Sequence, residues 1–588
     1  MKDQLSQRKL TRREFMRLSA LLAAGAVVSS CAPAPTPTAA PAPAPTTAPA
    51  AAPTSAPTAV PTTAPTAVPT KPMPTVPLAT ATVGPRKGGI LTWGQAAGID
   101  VIDPANPSSA AGTEIGNNLL DTLVKITPDQ KVVPGLATKW TVENDAKKFT
   151  FTLREGVKFH DGTLLDAAAV KKSWDRILDP ATKAASTASL LGPIDKIEAP
   201  DPKTIVVTFK QPFPLFLQQI WRSWFGILSP KQLDALKPGE VIAAPVGSGP
   251  FKFVNRSADG VVTLDAFADY AWGSEDLKNR AAPYLQSIKF RSVPETATRV
   301  ATLESGENLL IDELSEADYN RLKADKRFRF FEAPRMGLGV GFTFNVKLAP
   351  TNDLAVRQAI NWSVDRKSIV EKLFFGIHRV TVGPLTEGVW ARLDELEKTY
   401  GYDPKKAQQI LDDAGWRVGA GGIRTKGDQK LSLVLVTFGS PWTEMADAFQ
   451  SQLRSVGIDV QVQNMARTAY LDFVRAYKHN VCQSAGTNFD PDELRVRYHS
   501  DGLTRANFAN LTDSQLDALL VKGSQQAMGS AERRKTYEDA QRRLMELLPF
   551  VSVMTQVRVQ AMAAKVRDFL LDATGLNAPP MSDVWMEG

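Results

Sequence analysis

Residues 131–163 read KVVPGLATKWTVENDAKKFTFTLREGVKFHDGT, and this stretch carries the most specific fold signal in the chain. Within it, Phe149, Phe151 and Leu153 alternate with threonines, which is the period of a strand with one buried face. Residues 157–159 predict the next strand, and the Asp-Gly pair that follows predicts the turn that closes it. The stretch therefore predicts short consecutive strands in the first half of the folded chain.

The second half of the chain alternates strand and helix patterns. Residues 431–438 predict a strand, residues 441–456 a helix, and residues 458–462 a second strand. A strand–helix–strand order implies a parallel sheet with a right-handed crossover. No pattern repeats with a period of 20–50 residues, which argues against a solenoid or propeller. The sequence therefore predicts an α/β fold.

The N-terminus has the pattern of an export signal. Two adjacent arginines and Phe15 precede the apolar run LSALLAAGAVV at residues 18–28. This run is shorter than the roughly 20 apolar residues that span a bilayer, so residues 1–30 are predicted to be a signal peptide. The paired arginines resemble a twin-arginine export signal. The ending Val-Ser-Ser-Cys resembles a lipoprotein cleavage box, so Cys31 is predicted to carry lipid.

Residues 31–85 are almost entirely Ala, Pro and Thr after the cysteine. Such a composition cannot bury enough apolar surface to offset the entropy of ordering, so it predicts a disordered spacer. The spacer would lift the folded body off a membrane, and its composition also allows O-linked sugar. The chain of 588 residues has a formal charge of +7, but six basic and two acidic residues lie before the cysteine. The remaining net charge, about +3, is too small to indicate a nucleic-acid-binding surface.

The sequence shows no catalytic constellation, and we predict no catalytic residue, metal site or cofactor. No HExxH motif and no paired CxxC occurs, and residues 337–341, GLGVG, precede a strand instead of opening a helix. His479 and Cys482 have a ligand-like spacing, but two residues make at most half a metal site, so a structural role is favoured. With Cys31 lipidated, Cys482 would have no disulfide partner.

Several stretches occur in a fixed order from residue 88 to the end of the chain. They are VVPGLATKW with FTFTLREGVKFHDGT, GSGPF with VVTLDAF, FNV with NDLAVRQAINWSVDR, YDPKKAQQILDDAGW, LRSVGIDVQVQ and DVWM. This ordered set resembles family 5 of the solute-binding proteins of ABC importers, the oligopeptide-, dipeptide- and nickel-binding group. The resemblance covers essentially the whole predicted mature domain.

The resemblance implies a periplasmic-binding-protein-like type II fold of cluster C. Two α/β lobes would be joined by a hinge, with an extra domain inserted early in the chain. The expected segments are the signal at 1–30, the lipidated cysteine and spacer at 31–85, lobe I at 86–115, the inserted domain at 116–205, lobe I continued at 206–335, lobe II at 336–540, and a closing segment of lobe I at 541–588.

The resemblance also implies a binding function and no enzymatic activity. We expect an extracytoplasmic protein, in the periplasm or on the outer face of the cell membrane, held by its lipid. As a monomer it would capture an oligopeptide, an oligosaccharide or a metal chelate between its lobes and deliver it to an ABC permease. One alternative is a secreted surface hydrolase on the same fold, since inverting hydrolases need only two carboxylates. A second alternative is a ligand-sensing receptor subunit.

The resemblance places ligand contacts on the first strand and around the loop before an Asp-Pro turn. For each aromatic candidate, packing in the core is an equal alternative. The amides of Gln95 and Asn488 could satisfy hydroxyls or carbonyls of a ligand. The candidate ligand-binding residues are Trp93, Gln95, Ala96, Trp442, Tyr470, Gly486, Thr487, Asn488, Phe489 and Asp490.

Position 487 departs from the pattern of the family's peptide binders. These usually carry an aspartate four residues before the proline of the Asp-Pro turn, where it pairs with the peptide ammonium. Counting back from Pro491, this chain has Thr487. A neutral hydroxyl cannot replace a desolvated ion pair, which argues against peptides. The sequence alone therefore predicts that Thr487→Asp would favour ligands with a free amine.

Overall fold

A computed structural model describes residues 84–99, 101–107, 109–127, 130–440, 442–571 and 578–588. The predicted signal peptide, Cys31 and most of the spacer lie outside the described residues. Residues 81–588 cluster into one unit. In the described ranges, no helix is both long enough and apolar enough to cross a membrane.

A seven-stranded mixed sheet forms the core of lobe I. Its central strand, Ile90–Gln95, pairs in parallel with Ser287–Ser292 on one side and with Leu310–Ile311 on the other. Leu91 and Trp93 point to the same side of the sheet and are fully buried, so this side of the strand is covered. The order across the sheet is Phe328–Pro334, Val557–Ala563, Leu310–Ile311, Ile90–Gln95, Ser287–Ser292, Val262–Ala266 and Phe251–Arg256. The helices of this lobe are Ala110–Leu119, Pro230–Ala235, Thr296–Glu304 and Glu316–Leu322.

The inserted domain is built on a four-stranded antiparallel sheet. The strand Lys148–Leu153 buries every second side chain, which confirms the predicted alternation. The strand predicted at 157–159 is reduced to one bridge between Lys158 and Leu164, because the turn between them leaves room for a single pair. The strand order is Ala137–Glu143, Lys148–Leu153, Thr204–Phe209 and Ile194–Asp201. The accompanying helices are Ala167–Leu178, Ala185–Leu190 and Phe216–Gln219, and a short ribbon pairs Val124–Ile126 with Val132–Pro134.

Lobe II contains a six-stranded sheet covered by helices. The strands Ser432–Thr437 and Asp459–Asn464 run parallel and are joined by the helix Trp442–Arg454, which confirms the predicted strand–helix–strand unit. The strand order is Arg379–Val380, Phe550–Thr555, Gly337–Phe344, Val481–Thr487, Ser432–Thr437 and Asp459–Asn464. The other helices are Leu354–Ser363, Arg366–Leu373, Pro404–Asp413, Arg467–Arg475, Glu493–Tyr498, Ser514–Gln525 and Ala531–Leu547, beside a small sheet of Arg417–Val418, Arg424–Lys426 and Gln429–Lys430.

The chain crosses between the two sheets at two neighbouring points. Arg335 and Met336 connect the last strand of lobe I before the crossing to the strand Gly337–Phe344 of lobe II. Gln556 alone connects Phe550–Thr555 of lobe II back to lobe I. The backbone N–H of Arg335 donates to the carbonyl of Gln556 at 2.8 Å, so the two crossings are bonded to each other. Two adjacent crossings can act as a hinge for lobe rotation.

The sheets place two segment ends differently from the expected boundaries. The inserted sheet continues to Phe209, beyond the expected end at 205. The helix Ala531–Leu547 packs in the lobe II core, and the strand Phe550–Thr555 joins the lobe II sheet, so the return to lobe I falls at Gln556, not at 541. The strand and helix patterns are local, whereas the choice of sheet depends on pairing with distant residues, which no local pattern shows.

Candidate ligand-binding cleft

A cleft in two parts runs between the lobes beside the hinge. We call the part next to the crossings the hinge pocket; it has an empty volume of about 1420 Å³. The residues that define it are Ala96, Asp312, Arg335, His378, Gln556 and Arg558. We call the part beside the inserted domain the insert pocket; it has an empty volume of about 1330 Å³. The residues that define it are Asn117, Trp221, Trp224, Thr487, Asn488 and Arg495.

Both pockets receive side chains from both lobes. The helix Ala110–Leu119 of lobe I reaches both of them, with Ala110 in the hinge pocket and Thr113 in the insert pocket. A third cavity, of about 880 Å³, is lined only by residues of lobe I and the inserted domain. A ligand in that third cavity would not touch lobe II, so it could not favour lobe closure. The cleft between the lobes is therefore the candidate site.

A buried charge cluster forms one wall of the hinge pocket. Arg558 lies 3.3 Å from the Glu114 carboxylate and 3.4 Å from the Asp312 carboxylate, so two acids share one guanidinium. The Gln95 amide donates to Glu114 at 2.8 Å, and the Trp93 indole N–H donates to Asp312 at 2.8 Å. The five residues come from four separate segments of the chain, since Trp93 and Gln95 share one strand, and the lobe I fold alone assembles them.

Burial holds a proton in this cluster. Burial and the neighbouring Asp312 charge raise the pKa of Glu114 to about 8. Burial also raises the pKa of Asp312, although Arg558 opposes that shift. One positive charge cannot compensate two desolvated carboxylates. At neutral pH, the pair therefore retains one proton, held mainly on Glu114.

Arg335 lies at the hinge and makes hydrogen bonds to neutral groups only. Its Nη1 donates to Gln556 Oε1 at 2.5 Å, and its Nη2 donates to Thr487 Oγ1 at 3.3 Å. Burial lowers the pKa of Arg335, and the Glu313 carboxylate opposes the shift. Arg335 therefore links the second lobe crossing to the last residue of the strand Val481–Thr487, where the two pockets meet.

Comparison with known proteins agrees with this architecture. The family described as bacterial extracellular solute-binding proteins, family 5, middle region, matches residues 131–507. The chain belongs to this family. Members of family 5 are extracytoplasmic binding proteins and not enzymes. The predicted type II fold, with two lobes and an early inserted domain, is thereby confirmed.

Relatives of this family 5 protein carry names that refer to chemically different ligands. It is 28% identical to heme-binding protein A of Haemophilus influenzae over 76% of this chain and 83% of that protein. It is also 28% identical to the nickel-binding periplasmic protein of Escherichia coli, over 75% of this chain and 85% of that protein. The ABC transporter-associated periplasmic binding protein DppA of Helicobacter pylori, solved with the peptide STSA, superposes with a TM-score of 0.69. The two chains are 25% identical in sequence, and the superposition covers 86% of this chain and 99% of the DppA chain.

The first strand of this solute-binding protein contributes one predicted residue to the cleft surface. Trp93 is fully buried, with its ring centroid 5.3 Å from that of Phe290 and 6.0 Å from that of Phe569. Gln95 is also fully buried and bonds Glu114. Ala96 lines the hinge pocket. Trp93 and Gln95 thus lie behind the cleft wall, because residues two positions apart on a strand point to the same side of the sheet, and that side is buried here.

The two aromatic candidates of lobe II lie outside both pockets. Tyr470 is buried against Phe438, with ring centroids 4.9 Å apart, and its hydroxyl donates to the Gln483 carbonyl at 3.3 Å. Trp442 is half-buried against the main lobe II core. The structure therefore places both where core packing, the alternative weighed for each aromatic, accounts for them.

The predicted loop before the Asp-Pro turn reaches the insert pocket. Thr487, Asn488 and Asp490 line it. Gly486 lies against Glu493, and a Cβ at Gly486 would stand 2.5 Å from that carboxylate. Phe489 does not line the pocket. It is buried against Trp221 and Ile126, which lie on the opposite side of the cleft. The loop thus holds both pocket-lining residues and a contact between the lobes.

His479 and Cys482, for which the sequence favoured a structural role over metal binding, lie in the interior of lobe II. Both side chains are fully buried, and His479 Nε2 lies 3.0 Å from the Phe508 carbonyl. Burial lowers the pKa of His479 to about 4 and raises that of Cys482 to about 12. Over the part of the chain that the structure describes, no three His, Cys, Asp or Glu side chains are grouped to hold a metal ion.

Sequence reasoning missed Glu114, Trp221, Arg335 and Gln556. None of them lies in a motif that singles out ligand contacts. Arg335 and Gln556 are 221 positions apart and meet only because the two lobe crossings are neighbours. Arg335 and Gln556 each lie between two strands that belong to different sheets. The strand patterns are visible in the sequence, but the sheet to which each strand belongs is not.

Glu114→Gln is expected to remove a pH dependence of stability. The folded pKa of about 8 lies above the ordinary value of 4.5, so folding favours the protonated acid. The stabilisation is complete below about pH 4.5 and is lost as the pH rises through about 8. Relative to Glu114→Gln, the wild type should lose about 1–2 kcal/mol of unfolding free energy between pH 6 and pH 8, measured by urea denaturation.

The exposed Glu143 supplies the matched control. Its hydrogen bond and ion pair with Lys148 lower its pKa, so it is ionised in both folded and unfolded protein over this pH range. The difference between wild type and Glu143→Gln should therefore stay constant from pH 6 to pH 8. A constant difference for Glu114→Gln as well would contradict the retained proton.

Proposed function

We propose that this protein captures a small solute between its two lobes and delivers it to the permease of an ABC transporter. The observation that carries the proposal is the cleft, whose walls come from both lobes and which adjoins two bonded lobe crossings. A ligand that contacts both walls gains affinity only when the lobes are together, so it shifts the population to the closed state. The permease would read that state.

Contacts across the cleft mouth support a closed state that the solute would stabilise. The Gln130 amide donates to the Gly388 carbonyl at 2.6 Å, so a hydrogen bond joins the inserted domain to lobe II. Phe489 of lobe II packs against Trp221, with ring centroids 6.3 Å apart. These few contacts are small compared with a domain core. Closure therefore remains dependent on the additional contacts of a solute.

The lining favours a solute with both apolar faces and hydrogen-bonding groups. Trp221, Trp224 and Phe213 supply aromatic surface to the insert pocket. Gln218 and Asn488 supply amides in the same pocket. Aromatic faces with a few polar groups suit peptides and oligosaccharides, and the named relatives add metal and heme ligands to the range to be tested.

A thermal-shift screen tests the binding function. The panel contains di- to pentapeptides, neutral and acidic oligosaccharides, and metal chelates. A solute at 100 times its Kd should raise the unfolding free energy by about 2.7 kcal/mol. The same solute should reduce the radius of gyration in X-ray scattering. Conversion of a panel member to product, or a panel without any stabilising solute, would contradict the proposal.

We also propose that lipid on Cys31 anchors the protein at the outer face of the membrane. The support is the export signal and the Ala/Pro/Thr spacer, both outside the described residues. Cys31→Ala should move the protein from the membrane fraction to the soluble fraction. Cys482→Ala is the control, because Cys482 is fully buried in lobe II and should leave the distribution unchanged. A Cys31→Ala protein that still sediments with membranes would refute the anchor.

A further inference from the structure

Arg335 is a partly buried cation without a compensating carboxylate. Among the described residues, no acid lies within ion-pairing distance of its guanidinium, and its Nε has no hydrogen-bond partner. Glu313, which acts on Arg335 only through the longer-range charge interaction, is exposed to solvent. The acids Glu114 and Asp312 are already shared by Arg558. A desolvated, unpaired charge is unfavourable, so Arg335 needs a partner that the described chain does not supply.

Two neutral neighbours of Arg335 add further donors at the same place. Thr487 Oγ1 accepts from Arg335, and its hydroxyl hydrogen is donated to no other described group. Gln556 Oε1 also accepts from Arg335, and its amide N–H groups have no acceptor among the described residues. Three side chains therefore present donors where the hinge pocket meets the insert pocket.

The arrangement favours a carboxylate over a neutral or cationic group. A planar guanidinium matches the two oxygens of a carboxylate, and charge-assisted hydrogen bonds of this kind are stronger than neutral ones. An ammonium at the same place would face Arg335 with no negative group between them. Thr487 Oγ1 lies 3.3 Å from Nη2 of this arginine, so position 487 supplies a neutral hydroxyl here and no carboxylate.

We propose that Arg335, with Thr487 and Gln556, binds a carboxylate group of the solute at the hinge. The proposal rests on the solute-binding function proposed above and names the chemistry of its ligand. Because Thr487 belongs to lobe II while Arg335 and Gln556 are the lobe crossings, a carboxylate bound there contacts the segments that move on closure. The acid group of the solute thereby contributes directly to the closed state.

The competing explanation is that Arg335 only braces the two crossings. The two explanations differ in their prediction for the unliganded protein. Removing a brace lowers the melting temperature, whereas removing an unpaired desolvated charge leaves it unchanged or raises it. Arg335→Gln is suitable for this comparison, because it leaves no carboxylate without an ion-pair partner among the described residues.

The test uses paired probes that differ only in the acid group. One pair is N-acetyl-trialanine with a free carboxylate and the same peptide with a C-terminal carboxamide. A second pair is a trimer of galacturonic acid and a trimer of galactose. Calorimetry measures Kd for wild type, Arg335→Gln, Arg335→Lys, Thr487→Asp and a surface control, Arg321→Gln, whose partners Glu304 and Asp318 lie outside the cleft.

In at least one pair, we expect the acid to bind the wild type about 10- to 100-fold more tightly than its neutral partner. Arg335→Gln should remove that preference with an unchanged or higher melting temperature, and Arg335→Lys should restore part of it. Thr487→Asp should also remove the preference, because its carboxylate would pair with Arg335. This replaces the expectation, based on sequence, that Thr487→Asp would favour amines. Arg321→Gln should behave as wild type.

Three outcomes would overturn the proposal. If neutral probes bind as tightly as their acid partners, the carboxylate assignment is wrong while the solute-binding function stands. If Arg335→Gln lowers the melting temperature and keeps the acid preference, Arg335 is a brace. If no acid probe binds, the carboxylate assignment is again wrong, and the wider screen decides separately whether the binding function also fails.

Discussion

Arg533→Met is expected to lower the unfolding free energy by about 3–5 kcal/mol, because it leaves the buried Asp490 carboxylate without its partner. The two guanidinium Nη atoms of Arg533 donate to the two Asp490 oxygens at 2.9 and 2.8 Å. The side chains are 0% and 3% exposed, so water cannot replace the lost contact. Trp390 and Tyr537 flank the guanidinium, each with its ring centroid 5.3 Å away.

Urea denaturation followed by tryptophan fluorescence measures this loss. Lys535→Met is the control on the same helix, since its ion pair with Asp539 is exposed and should be worth less than about 0.5 kcal/mol. The double variant Asp490→Asn/Arg533→Met removes both charges and should recover a large part of the stability. A double variant as unstable as Arg533→Met alone would show that lost packing, not the stranded acid, causes the effect.

Asp490 was predicted as a ligand contact, and its ion pair assigns it a further role. Asp490 is one of the residues that line the insert pocket, but its carboxylate is buried and both oxygens accept from Arg533. It also accepts the backbone N–H of Asp492 at 2.8 Å, and so orders the turn that follows Asn488. We therefore expect Asp490 to position the loop, while Thr487 and Asn488 face the solute.

Phe489→Ala is expected to weaken solute binding about 10- to 100-fold. Phe489 is 1% exposed, and its neighbours Ile126, Val132 and Trp221 lie on the opposite side of the cleft. Burying a phenylalanine side chain contributes about 1.5–3 kcal/mol, and this contribution belongs to the closed arrangement. Without it the closed state is less populated, and the apparent Kd rises by the same factor.

Calorimetry with a solute found in the screen, together with scattering of the unliganded protein, tests this prediction. The matched control is Phe438→Ala, because Phe438 packs on Tyr470 within lobe II and contacts nothing across the cleft among its described neighbours. Phe438→Ala should lower the unfolding midpoint and leave Kd unchanged. The reverse result, with Phe489→Ala destabilising the protein at unaltered Kd, would make Phe489 an ordinary core residue.

Much of the fold could be predicted from local patterns. The alternation of Phe149, Phe151 and Leu153 predicted the strand of the inserted sheet, and residues 431–462 predicted a parallel strand–helix–strand unit; both are observed. These patterns succeed because the burial of one face sets a period of two or 3.6 residues, which is written in the sequence itself. The family resemblance rested on the order of such stretches.

The candidate site was predictable only in part. Ala96, Thr487, Asn488 and Asp490 line the cleft, whereas Trp93 and the other buried aromatics do not. An aromatic residue in an apolar pattern gives the same signal whether it packs in a core or faces a ligand. The family pattern located the loop, but the role of each side chain within it depended on partners such as Arg533 and Trp221.

The amino-acid sequence by itself determined the export signal pattern, the α/β elements, the family and the neutral residue at position 487. The tertiary structure alone decided that Arg335 and Gln556 meet at the hinge beside Thr487, and that Glu114 and Asp312 share one arginine. The physical reason is the separation along the chain of the residues that interact. The periodic burial that sets helices and strands relates residues only a few positions apart. Charges and hydrogen bonds at the cleft join residues that only the pairing of distant strands brings together.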